Sequence, residues 1–155
     1  GHEPKVGDFE VPGVDREPFL PQPFDTHLLD ARHYRPLLLE GLQQARDTQV
    51  PRVTIVRQFR RFVEDDLAAT FGASLRLVAH PGEAASIAAT IAPRRPDRVL
   101  LAIGPEGGWN AFELDLLARH HFAAVSMGSR TLRSDTACIA LLALVHDALN
   151  QASAP

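Results

Sequence analysis

Twice in this chain a short apolar run ends at a glycine-bearing turn that opens a helix. The first run is Val99 to Ile103, followed by Gly104-Pro105-Glu106-Gly107-Gly108-Trp109. The second is Ala123 to Met127, followed by Gly128-Ser129-Arg130-Thr131-Leu132-Arg133-Ser134-Asp135. A run that is apolar throughout, rather than alternating, fits a parallel strand covered on both faces. Parallel neighbours need a crossover connection, so the pattern points to an α/β fold with a parallel sheet and helices on both faces.

The rest of the chain fits that reading from about Asp30 onward. Leu37, Leu38, Leu42 and Ala45 recur at helical spacing, with Pro36 tolerable near the start of such a helix. Val53 to Val56 is a β-branched strand. Phe62 to Phe71 reads as a helix with a solvated acidic start, Glu64-Asp65-Asp66, and Gly72 past its end. Leu75 to Ala79 is a strand closed by His80-Pro81-Gly82, and Glu83 to Ala92 an alanine-rich helix stopped by Pro93. Asn110 and Glu113 have the spacing of a capping box for a helix running to Arg119. Ser134 or Asp135 caps a last helix reaching about Asn150, with Ile139, Leu142, Val145 and Leu149 on one face. Residues 1–27 carry Pro4, Pro12, Pro18, Pro21 and Pro23 without regular period, and read as an extended arm or a truncated remnant of the domain start. The domain proper is expected over 28–150, with 151–155 as a tail.

Composition narrows the function classes. The 155 residues suit one domain with its own core. A formal charge of −3 argues against a strongly basic nucleic-acid binder while leaving room for local clusters such as Arg94, Arg95 and Arg98. The single cysteine, Cys138, allows no intrachain disulfide, which fits a cytoplasmic protein. The apolar run Ala137 to Val145 is too short to cross a bilayer, so no membrane partner is expected.

The two turns are the candidate site, because ligands in open α/β sheets bind beyond the carboxyl ends of the strands. Glycines in the first would let a ligand approach the backbone, although the spacing matches neither a dinucleotide fingerprint nor a phosphate-binding loop. A plain strand-to-helix turn explains the same residues. In the second, Arg130 and Arg133 stand before a helix start that favours anions, but a surface ion pair between one of them and Asp135 is the simpler account. Trp109 is either a lid over a pocket or a turn aromatic. Adjacent His120 and His121 point in different directions on a helix, and no metal is expected. No hydrolase signature is present.

Together, Ile-Gly-Pro-Glu-Gly-Gly at 103–108 and Met-Gly-Ser-Arg-Thr-Leu-Arg-Ser-Asp-Thr-Ala at 127–137 resemble the signature of the RsmE family. Gly41 to Thr48 with Val50-Pro51 is similar to a second segment of that family, and the likeness spans about residues 28–150. Members are SPOUT-superfamily methyltransferases that use S-adenosylmethionine to methylate N3 of a uridine in small-subunit ribosomal RNA. The resemblance implies a C-terminal trefoil knot, a homodimer, and a cofactor slot. One wall would be Ile103, Gly104, Glu106, Gly107 and Gly108; the other Met127, Gly128, Leu132, Arg133, Thr136 and Ala137; His80 and Pro81 would close an edge. Arg133 and Glu106 are the expected catalytic residues. Arg133 would stabilise negative charge on the base, and Glu106, like Asp135, is a candidate proton acceptor. Ribose 2′-O methylation by another SPOUT domain, a silent knotted dimer that binds RNA or protein, and a phosphate-binding protein are the competing expectations. The sequence departs from the family at Met127, Thr131, Ser134 and Asp135, and the family's N-terminal RNA-binding barrel and opening strand–helix are not legible in it.

Overall fold

The computed structural model describes residues 9–12, 30–46, 48–82 and 84–153. They divide into two compact units, residues 1–62 and 63–155.

In the first unit, β1 (Phe9–Pro12) pairs in parallel with β2 (Val53–Val56), Phe9 opposite Val53 and Pro12 opposite Val56. The segment read as an arm therefore contains a paired strand; the remainder of 1–27 lies outside the described residues. A four-residue strand ending on Pro12 is too short to show a strand period, and the partner strand supplies what the local pattern lacks. Between the strands in sequence runs α1 (Ala31–Ala45). Asp30 caps it, accepting from the Arg32 amide at 2.9 Å. The Arg32 side chain also bonds to this carboxylate and holds it well below the usual carboxylate range. Pro36 stands inside the helix rather than at its start, and none of the helix residues is buried. A short helix, α2 (Phe59–Arg61), ends the unit.

The second unit opens with a π-helical turn, Phe62–Asp66, that leads into α3 (Leu67–Phe71). The helical stretch expected from Phe62 thus begins earlier, at Phe59, and part of it is wider than an α-helix. Val63, Leu67 and Phe71 are buried, while Glu64, Asp65 and Asp66 are exposed as expected. The wide turn offsets the drift that a strict four-residue spacing accumulates in an α-helix, which keeps those three apolar side chains in line.

A parallel sheet of order β4-β3-β5 forms the centre: β3 (Leu75–Ala79), β4 (Val99–Ala102) and β5 (Ala123–Val125). Leu77 lies opposite Leu101 on one side and Ala123 on the other. On one face Leu77 and Val125 pack with Ile87 and Ile91 of α4 (Ile87–Ile91) and with Leu141, Val145 and Ala148 of α6 (Ser134–Ser153). By the two-residue strand period Arg76 and Val78 face the other way. There Arg76 Nη1 donates to the His120 carbonyl at 2.8 Å, marking the face covered by α5 (Ala111–Arg119).

Two further helices depart from the sequence reading. The front of the alanine-rich segment is not helical, because Ala85 pairs with Val125 and its carbonyl accepts from the Ser126 amide at 3.0 Å. Ser86 then caps the shortened α4. Sheet pairing overrides alanine propensity here. The buried stripe of α6 is Leu141, Val145 and Ala148, whereas Ile139 is 73% exposed. Residues two apart on a helix diverge by about 200°, so Ile139 and Leu141 cannot share a face. Finally, α6 continues to Ser153, through most of the expected tail.

At the end of α5 the histidine pair has a structural role. His121 takes φ 67, its amide donates to Ala118 and that of Phe122 to Leu117, the two bonds of a Schellman cap.

Candidate functional site

Because β3, β4 and β5 run parallel, their carboxyl ends lie at one edge of the sheet, and the loops that follow them meet there. The chain leaves β3 for β4 on one side and returns to β5 on the other. A reversal of this kind is where open α/β sheets bind ligands.

Specific bonds tie the loops together. The His80 amide, just past β3, donates to the Val125 carbonyl at 3.0 Å. Trp109 Nε1–H donates to the Ala79 carbonyl at 3.1 Å, which anchors the loop after β4 to the end of β3. The Ser134 hydroxyl donates to the Gly104 carbonyl at 3.2 Å, joining the start of α6 to that same loop. The turns expected to form opposite walls are therefore bonded to one another.

The first wall is Ile103, Gly104 and Pro105, all half-buried, followed by an exposed turn of Glu106, Gly107 and Gly108. The Gly108 amide closes the turn on the Pro105 carbonyl at 2.8 Å, with φ +71 at Gly108. Gly104 is there for space: an added Cβ would lie 3.2 Å from Trp109 Nε1. Trp109 is half-buried, a turn aromatic that also bolts the loop in place. The expected capping box at Asn110 and Glu113 is present, with bonds of 2.9 and 2.8 Å. Among the described residues, the amides of Glu106 and Gly107 have no hydrogen-bond partner, which leaves them available to a ligand.

The second wall is open to solvent. Met127 is 38% and Leu132 42% exposed, so both present apolar surface to solvent. Ser126 braces the turn: its hydroxyl donates to the Gly128 carbonyl and accepts from the Gly128 amide, where φ is +112. Arg133 Nη2 pairs with Asp135 Oδ2 at 3.2 Å, both side chains exposed, as the simpler account anticipated. Asp135 Oδ1 accepts from the Thr136 amide at 2.7 Å, the main reason its carboxyl is held below the ordinary range, with Arg133 adding to it. Thr136 is exposed and Ala137 half-buried in the first turn of α6.

Some expected residues are not joined. His80 and Pro81 are exposed, and the recorded bond of His80 to the site is through its backbone. Among the described residues no hydrogen bond or ion pair links Glu106 to Arg133. Ser134 does not cap α6 with its side chain; the first helical bond runs from the Ala137 amide to the Arg133 carbonyl. Ser134 and Trp109 are thus the site-building residues that sequence reasoning left outside the slot. Burial pushes the Cys138 thiol up, as suits a packing residue. Among the described residues no group of three His, Cys, Asp or Glu is placed to hold a metal ion.

The model of the RNA methyltransferase domain family matches residues 25–146. The ribosomal RNA small subunit methyltransferase E of Treponema pallidum is 31% identical over 121 residues, 78% of this chain and 46% of the relative. The same enzyme of Synechocystis is 43% identical over 51 residues, 33% of this chain and 17% of that protein. A putative methyltransferase of Legionella pneumophila, solved with bound SAM, superposes with a TM-score of 0.68 at 24% identity, over 90% of this chain and 53% of its own. Ribosomal RNA small subunit methyltransferase E of Neisseria gonorrhoeae, bound to S-adenosyl methionine, gives 0.67 at 22% identity, over 88% and 53%. This chain thus spans about half the length of the Treponema relative and of each solved chain. At these structural identities the likeness is one of fold, the expected α/β arrangement of a parallel sheet with helices on both faces. The chain belongs to the RNA methyltransferase domain family, with ribosomal RNA small subunit methyltransferases E among its relatives.

Proposed function

We propose that this domain binds S-adenosylmethionine at the β3–β4–β5 edge and methylates N3 of a uridine in small-subunit ribosomal RNA. The observation that supports the reading is the Ser134–Gly104 bond, which ties the turn after β4 to the start of α6 beyond the carboxyl ends of the strands. The donor set fits a nucleoside with a sulfonium tail. Free amides at Glu106 and Gly107 suit polar ring or ribose atoms, and Ile103, Met127 and Leu132 offer apolar surface to an adenine face.

Bound there, S-adenosylmethionine supplies an electrophilic methyl group. The chain's own part is mostly positioning, because methyl transfer requires the acceptor nitrogen in line with the leaving sulfur. Arg133 is held only by an exposed carboxylate, so its guanidinium is free to turn to the uracil as N3 loses its proton and to stabilise the charge left on the ring. Asp135 is a poor proton acceptor, since the Thr136 amide and Arg133 favour its charged form. Glu106, exposed in the turn beside the unpartnered amides, is the better placed carboxylate.

The remaining expectations join this proposal. A second copy would cover the exposed Ile139 on α6, giving a homodimer. A C-terminal trefoil knot, as the family resemblance implies, belongs to the same proposal. With ribosomal RNA as substrate, the compartment is the cytoplasm.

Calorimetry with S-adenosylmethionine and its demethylated product tests the reading. Binding of both is expected, and a folded protein that binds neither overturns it. Mass spectrometry of nucleosides from treated small-subunit RNA then decides the chemistry: N3-methyluridine is expected, and a ribose-methylated product would transfer the domain to the alternative reaction.

A further inference from the structure

A serine at a helix N-cap turns its hydroxyl to the helix's own free amides, but here Arg133 holds the cap position and Ser134 is the first helical residue. Its hydroxyl donates to the carbonyl of Gly104, in another loop, at 3.2 Å. The first turn of α6 is served without it, by the Arg133 carbonyl, which accepts from Ala137, and by Asp135 Oδ1, which accepts from Thr136.

The carbonyl it holds is the one that matters for the first wall. Gly104 is gripped on its other side by Trp109, whose ring would stand 3.2–3.4 Å from an added Cβ and whose Nε1–H is fixed on Ala79. The peptide that follows leads into Pro105, which has no amide hydrogen and a fixed φ. The Gly104 carbonyl and the fixed Pro105 ring therefore anchor the start of the turn that carries Glu106 and Gly107, whose amides have no partner within the described residues.

We infer that Ser134 is a positioning residue: by holding the Gly104 carbonyl against the Trp109 clamp, its hydroxyl aims the Glu106 and Gly107 amides into the methyl-donor slot. The two walls are then coupled, because the residue that aims the first belongs to the helix that begins the second. The inference rests on the methyltransferase reading for the identity of the ligand, and on geometry alone for the clamp.

The test compares Ser134→Ala, Ser134→Thr and Trp109→Phe with the unsubstituted chain, and with Ala118→Gly as a control for general loss of helix stability at an exposed α5 position. Two quantities are read: affinity for S-adenosylmethionine by calorimetry, and hydrogen exchange of the Gly108 amide, bonded to the Pro105 carbonyl, in a peptide covering residues 104–108. Ser134→Ala should weaken donor binding by about five- to tenfold, the size of one net hydrogen bond. It should also speed exchange in the 104–108 peptide while leaving β3 and α5 unchanged. Ser134→Thr should restore both, Trp109→Phe should reproduce the faster exchange, and Ala118→Gly should move neither. Exchange in Ser134→Ala equal to that of the unsubstituted chain overturns the clamp. Faster exchange with undiminished donor affinity overturns its aiming role. If the unsubstituted chain binds no donor, the methyltransferase reading fails with the aiming role, and exchange alone decides whether the clamp exists.

Discussion

The two glycine turns look alike in sequence and differ in how they are held. The turn after β4 is fixed at several points: Gly104 to Ser134, Trp109 to Ala79, Gly108 to Pro105, and a full capping box at its exit. The turn after β5 is exposed from Met127 through Arg133, braced by Ser126 and by an ion pair on the surface. The first is a wall built before any ligand arrives. The second has side chains still free to close on one, so changes there should alter chemistry and affinity with little cost to folding.

Arg133→Ala tests that division most sharply. An exposed ion pair contributes little to stability, so the melting temperature should hold and donor affinity should stay within about threefold. Methylation should fall by about 10²–10³-fold, as when one donor is removed from developing negative charge. Single-turnover assays on small-subunit RNA measure this. Equal losses in melting temperature and rate would make Arg133 a structural residue and erase the contrast.

Gly104→Ala probes the first wall from the opposite direction. The new Cβ would lie against the Trp109 ring, which cannot retreat without releasing Ala79. Overpacking of this kind costs about 1–3 kcal/mol, and donor binding should weaken by about tenfold as the turn shifts. Thermal melts and calorimetry should therefore report loss together, unlike Arg133→Ala.

The contrast also explains what could be read from residues alone. The strands at Val53–Val56 and Leu75–Ala79 and the Asn110 cap follow from local pattern, and the structure places them at the expected residues. The front of α4 and the outward side of α6 were misread, because both depend on partners distant in sequence: Val125 for Ala85, and the sheet face for Leu141. The strand at Phe9–Pro12 was missed for the same reason. At the site, glycine and arginine positions are legible because their backbone and charge preferences are intrinsic. The Ser134 hydroxyl is not, since a serine before a helix predicts a cap, and only the packed loops reveal that it bonds elsewhere.

Leu132→Ser should be quiet in stability and visible in affinity. The side chain is already 42% exposed, so the folded state loses little. Against an adenine face the lost apolar contact corresponds to about 1 kcal/mol, or about fivefold in donor affinity. Calorimetry beside a thermal melt separates the two effects, and a fall in melting temperature would mean that the second wall is packed in solution after all.

The smallest expected effect concerns Asp135, where the second turn meets α6. Its carboxyl is held below the ordinary aspartate value of 3.8, first by the Thr136 amide and then by Arg133. A depressed folded value means the charged form favours the fold: the contribution is complete above the unfolded value and disappears as pH falls through the folded one. Full exposure keeps it small. The Thr136 amide resonance should titrate with a midpoint below 3.8 in the unsubstituted chain and lose that transition in Asp135→Asn. A midpoint at or above that value would mean the carboxylate is not bonded to the helix start. Arg133 would then have no anchored partner, and its release to a substrate would need no broken pair at all.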